Sequence, residues 1–88
     1  SMGEGFHLRR IFVGDAVCGQ KLIRYYLLEH EIAGRTCYGI QVETGGEKAV
    51  IPCITPSQVA VLALAERLIR GCVTPVTARD VVEDWLLT

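Results

Sequence analysis

The chain has 88 residues, a formal net charge of −1, half of its residues hydrophobic and 22% charged. This is the composition of one globular domain, not a disordered segment, with a core small enough that self-association would add to its stability. Basic residues are scattered apart from Arg9-Arg10, which argues against a nucleic-acid partner, and no apolar run nears the roughly 20 residues that span a bilayer, which argues against a membrane.

Ser1 before Met2 reads as a cloning remnant, and residues 1–8 as a flexible lead to a single domain covering 1–88. The lead has no apolar signal core, so a cytoplasmic protein is expected. Residues 9–17, RRIFVGDAV, mix β-branched and aromatic side chains and predict a strand, regular or bulged at Gly14-Asp15. Residues 21–32, KLIRYYLLEHEI, are apolar on both faces, which suits a strand interior to a sheet and also a helix. The next segment decides for the strand. Ala33-Gly34-Arg35 is a turn signal, and residues 36–44 alternate cleanly, with Tyr38, Ile40 and Val42 on one side and Cys37, Gln41 and Glu43 on the other. A hairpin of 21–32 with 36–44 follows. Residues 45–48 make a second turn. Residues 49–54, AVIPCI, predict a further short strand in which Pro52, lacking an N–H, marks an edge or a strand end.

The second half predicts two helices. Thr55 can cap the first, with Pro56 at its first position, Gln58 completing a capping box and Ile54-Val59 as a staple. Val61, Leu62, Leu64, Ala65, Leu68, Ile69 and Cys72 share one arc, Glu66 and Arg70 pair on the opposite side, and Gly71 is the expected left-handed residue at the end. For the second helix Thr77 can cap, with Asp80 three residues on and Val76-Val81 as a staple, or Thr74-Pro75 starts it three residues earlier. Ala78, Val81, Val82, Trp85 and Leu86 make its apolar stripe, and Asp80, Glu83 and Asp84 its acidic face. The predicted fold is α+β: an antiparallel meander of three to four strands, then two C-terminal helices packed on one face.

No group of residues carries an obvious chemistry. The cysteines, Cys18, Cys37, Cys53 and Cys72, are even in number, which in a short chain is compatible with two disulfides. Without a signal core, reduced thiols packed as small hydrophobes are the expectation. Their even spread, with no C-x-x-C and with His7 and His30 at no ligand spacing, predicts no metal site. Cys72 extends the apolar arc of the first helix and reads as structural, not as a nucleophile. His30, between Glu29 and Glu31 on a strand, points away from both carboxylates and reads as a surface imidazole. TGGEK at 44–48 lacks the spacing of a phosphate loop. A helix-turn-helix reading fails on the acidic face of its second helix.

Three stretches, YYLLEHEIAGRTCYGIQVE, AVIPCITPS and LIRGCVTPVTARDVVEDWL, together resemble a family of small bacterial proteins of unknown function over residues 21–87. RGCVTPVTARDVVEDWL is the most specific part. The resemblance implies a stand-alone protein and brings no activity, cofactor or catalytic residue.

The leading functional expectation is therefore a small non-enzymatic interaction or regulatory module without a cofactor. It would bind a protein partner, self-associate as a homodimer through a sheet edge or the C-terminal helix, and contact its partner through Asp80, Glu83 and Asp84. The second is a small-molecule binder or minor enzyme with a pocket lined by Tyr25, Tyr38, Cys53 and Trp85. The third is nucleic-acid binding through Arg9, Arg10, Lys21 and Arg24.

Overall fold

The alternating first half of the chain folds into four antiparallel strands, β1 (Phe6–Cys18), β2 (Lys21–Ile32), β3 (Arg35–Thr44) and β4 (Glu47–Thr55), in the sheet order β1-β2-β3-β4. The periodic second half forms α1 (Gln58–Arg70) and α2 (Pro75–Leu86), both laid on the same face of the sheet. This is the expected α+β meander, with four strands. The structure, a computed structural model, describes residues 6–88. Of the flexible lead expected over residues 1–8, His7 and Leu8 pair with Glu31 and His30 in β1, and residues 1–5 lie outside the described residues. The reading of Ser1 lies outside the described residues.

The core is a single layer between sheet and helices. Ile23, Tyr25 and Leu27 of β2 and Ile40 and Val42 of β3 meet Val61, Leu64, Ala65 and Leu68 of α1 and Ala78 and Val82 of α2. The two-sided apolar character of β2 has a simple origin: its odd-numbered residues face the helices, and Tyr26 and Leu28 are buried on the other face.

Both edge strands are irregular. β1 carries a bulge between Phe12 and Gly14, as its sequence allowed. In β4 the register jumps: Ile51 pairs Ile40 while Thr55 pairs Tyr38, so Pro52, Cys53 and Ile54 together lie opposite Gly39. A Cβ at Gly39 would collide with the Ile51 carbonyl oxygen and lie 2.7 Å from the Pro52 Cα, so only glycine lets the bulge approach β3 this closely. Pro52 sits on an edge strand, where its missing N–H costs no ladder bond.

The helix ends correct several sequence expectations. α1 starts two residues later than a Thr55-Pro56 cap implies. Ser57 is its N-cap and accepts from the Ala60 N–H at 3.1 Å, while Thr55 Oγ1 accepts from the Ser57 N–H. Val59 is 80% exposed, so no Ile54-Val59 staple forms. At the C-terminus, Val73 N–H donates to Leu68 O and Cys72 N–H to Ile69 O, the pairing of a Schellman motif. The left-handed residue of that motif is Cys72, at φ 51°, and Gly71 is in an ordinary conformation. α2 begins at Thr74-Pro75, the earlier of its two predicted starts, which leaves Val76 exposed and unstapled. The Glu66–Arg70 pair forms at 4.0 Å across an exposed face.

The expectation of reduced, buried thiols is overturned. Cys18 is bonded to Cys72 and Cys37 to Cys53, and no cysteine is free. Sequence spacing hid both pairings because each joins residues brought together only by the sheet and its helical cover. Cys18–Cys72 ties the end of β1 to the α1–α2 connector, and Cys37–Cys53 ties β3 to the β4 bulge.

Candidate functional site: the helix-free face of the sheet

Among the described residues, two helices lie on one face of the four-stranded sheet and no helix or strand covers the other. Strand parity assigns that face the even-numbered residues of β2 with their ladder partners. Along it lie Leu8, Phe12, Val17, Leu22, Ile32 and Val50, large apolar side chains that are between 41% and 73% exposed. Several large apolar side chains exposed on one face mark contact sites more often than a single exposed hydrophobe does.

At its centre is a packed polar and aromatic cluster. The Arg10 guanidinium lies 4.3 Å above the ring of Tyr26, and Phe12 meets the same ring edge-on at 5.6 Å between centroids. The Tyr26 hydroxyl donates to Glu43 Oε1 at 3.0 Å, and Gln41 Nε2 donates to Glu43 Oε2 at 3.1 Å. Arg10 also stands 3.8 Å from that carboxylate. Arginine and aromatic side chains held in defined positions are the residue types that anchor protein interfaces.

Beside this cluster, one row of charges crosses all four strands. Asp15 pairs with Arg24, Arg24 with Glu43, and Glu43 with Lys48, so the row reads negative, positive, negative, positive from β1 to β4. Arg24 and Glu43 also line an open cleft of about 500 Å³ between the β1–β2 and β3–β4 turns, with Lys21 and Glu47 at its ends. At the opposite end of the face His30 stands directly across the ladder from Cys37, whose sulfur is bonded to Cys53 on the edge strand.

The residues singled out from the sequence are distributed differently. Tyr25 is fully buried on the helical side and donates its hydroxyl to the Val73 carbonyl at 2.8 Å. Burial pushes its phenol above the ordinary value. Tyr38 and Trp85 are half-buried against the core, and Cys53 is exposed in its disulfide. Trp85 lines a small cleft of about 60 Å³ with Leu64, Arg67, Val81 and Asp84, which holds none of Tyr25, Tyr38 and Cys53. Asp80, Glu83 and Asp84 are exposed on α2, and Leu86, expected in its apolar stripe, is 55% exposed. Of the four cations proposed for nucleic acid, Arg9 bonds Glu29 at 3.2 Å and Arg10 stacks on Tyr26, while Lys21 and Arg24 share their cleft with carboxylates. Among the described residues there is no group of three or more potential metal ligands, and no helix is long and apolar enough to cross a membrane.

Phe12, Tyr26, Gln41 and Glu43 escaped the sequence reading as a group. The available signal was the second apolar face of β2, which requires something to cover Tyr26 and Leu28.

A family of unknown function, DUF6514, matches residues 13–88. The chain belongs to this family. The match spans everything from the β1 bulge to the end of α2, so the family unit includes the helix-free face apart from its Leu8–Phe12 corner. No curated protein and no solved structure matches the chain.

Proposed function

We propose that this member of the family is a non-enzymatic protein-interaction module that acts as a homodimer, two copies packing their helix-free sheet faces together. The observation that carries this reading is the alternating row Asp15, Arg24, Glu43, Lys48. A two-fold axis along the strands, through the middle of the row, reverses it onto itself. Asp15 then meets Lys48 of the partner subunit, and Arg24 meets Glu43 of the partner subunit. Every charge faces its opposite, as a self-complementary interface requires. The same operation sets Phe12 against Val50 of the partner subunit. Four strands at about 4.8 Å spacing and ten residues at about 3.3 Å rise make a face of roughly 600 Å², the lower end of what a stable pair buries per subunit. The acidic face of α2 carries one sign of charge and would repel its own copy, which supports the sheet face over the C-terminal helix.

The test is sedimentation of charge variants. Asp15→Lys should weaken the dimer, since by symmetry it turns two attractive contacts into two repulsive ones. At about 0.3–0.5 kcal/mol per exposed contact the loss is about tenfold or more in affinity. Lys48→Asp should weaken it equally. An equimolar mixture of the two variants, or the double variant in one chain, should restore pairing. A monomeric wild-type protein at all concentrations, or variants whose mixture fails to recover, would refute the two-fold arrangement.

The two disulfides bear directly on the expected cytoplasmic location. Cytosolic thiols are kept reduced, and the disulfides that do occur in that compartment are mostly transient or redox-sensing.

A further inference from the structure

The two disulfides differ in their surroundings. Cys18 is packed against the hydrophobic core at the end of β1, and its partner Cys72 sits inside the Schellman turn, with backbone hydrogen bonds on either side of it. Both are half-buried. Cys53, by contrast, is exposed, on the outer edge strand, within a three-residue bulge at φ 50°. Its partner Cys37 is half-buried in the interior strand β3, directly across the ladder from His30. Side chains directly opposite in an antiparallel pair share a face and lie within about 5.5 Å at Cβ. One sulfur therefore belongs to an exposed residue of the edge strand, and the other to a residue whose ladder neighbour is a histidine.

We infer that Cys37–Cys53, with His30 beside it, is a thiol–disulfide exchange site for a low-molecular-weight thiol, and that Cys18–Cys72 is a structural bridge. A thiolate attacks the Cys53 sulfur from the open edge of the sheet. The new bond forms between that sulfur and the incoming one, the Cys37–Cys53 bond breaks, and the electron pair departs on the Cys37 sulfur. A ring N–H beside the departing sulfur would stabilise the leaving thiolate, and a better-stabilised leaving thiolate departs faster. The Cys37 thiolate then takes a proton from water. A second thiolate attacks the incoming sulfur of the mixed disulfide and releases Cys53 as a thiolate. Two external thiols have been oxidised to one disulfide, and the protein's disulfide has gained two electrons. Opening the bond frees the stretch Pro52–Ile54, which is packed on Gly39, from its tether to β3. Ile54, within that stretch, packs against the edge of the core, while the core's centre in β2, β3 and the helices lies away from the bridge. Cys37 and His30 belong to the helix-free face proposed to pair, so the exchange is tested at protein concentrations where the chain is monomeric.

The experiment exposes the folded, oxidised protein to graded reduced glutathione, quenches with an alkylating agent and maps the labelled cysteines by peptide mass spectrometry. Cys37 and Cys53 should be labelled at a thiol concentration at least tenfold below that needed for Cys18 and Cys72. Both pairs opening together, Cys18–Cys72 opening first, or Cys37 and Cys53 already free under oxidising conditions would overturn the assignment. Cys37→Ser, folded by circular dichroism and treated with oxidised glutathione, should carry a glutathione adduct on Cys53, and its absence would count against attack at that sulfur. His30→Gln should slow the opening of Cys37–Cys53 several-fold and leave Cys18–Cys72 unchanged. Equal slowing of both bridges, or of neither, would remove His30 from the step.

Discussion

Removing Cys18–Cys72 should destabilise the fold more than removing Cys37–Cys53, and the gap can be worked from the topology. The first bridge closes a loop of sequence separation 54 and the second one of 16, nested inside it. The chain-entropy relation gives about 4 kcal/mol for the outer loop, even when the inner bridge has already shortened it, and about 3 kcal/mol for the inner one. Against a stability of about 5–15 kcal/mol for a single domain, either loss is a large fraction of the whole. The structure adds to the asymmetry. The outer bridge joins the edge strand β1 to the connector between the helices, whereas the inner one joins strands that are already hydrogen-bonded neighbours. The assay is urea unfolding of Cys18→Ala/Cys72→Ala and Cys37→Ala/Cys53→Ala under non-reducing conditions. A gap of about 1 kcal/mol corresponds to about 4–8 °C in melting temperature for a domain of this size. If the variant lacking Cys37–Cys53 proved the less stable, with equal urea slopes, loop closure would not be what the bridges contribute.

Leu68, fully buried between α1 and the sheet, should cost about 2–5 kcal/mol when changed to alanine, measured by the same urea melts. Gly39→Ala should cost about 1–3 kcal/mol, because the new Cβ meets Ile51 and Pro52 backbone and not a movable side-chain end; faster amide exchange confined to residues 51–55 would locate the damage. Tyr25→Phe should lose about 1–2 kcal/mol by leaving the part-buried Val73 carbonyl without its donor. Tyr25 also predicts an alkaline trend. Its folded phenol titrates above the ordinary value of 10.0, so its contribution is whole below that pH and is lost as pH rises through the folded value. Tyr25→Phe should lack that component, and an unchanged alkaline slope in the variant would refute the assignment.

Much of the architecture was legible because it rests on local periodicity. The alternation of residues 36–44, the glycine turns at 34 and 45–46 and the helical arcs in 58–70 and 75–86 each state their element within a few residues. Element ends were less legible. Ser57 competes with Thr55 as a cap within one turn, and Gly71 competes with Cys72 for the left-handed position, so local preference alone could not choose. In the second case it favoured the wrong residue. A cysteine at φ 51° is held there by its bond to Cys18, which lies far away in the sequence.

The candidate site was hidden for the same reason. Asp15, Arg24, Glu43 and Lys48 are unremarkable where they stand in the chain, and only the registers of three successive strand pairs align them into one row. The stacking of Arg10 and Phe12 on Tyr26, and the approach of Cys53 to Cys37 across a bulge that only Gly39 permits, are likewise matters of register. The sequence by itself determined the class of fold, the number of helices and the core side of β3, because hydrophobic burial imposes a period that can be read along one segment. Tertiary structure alone decided the disulfide pairing, the layout of the helix-free face and the company each charge keeps, because those depend on distances between segments that no single segment encodes.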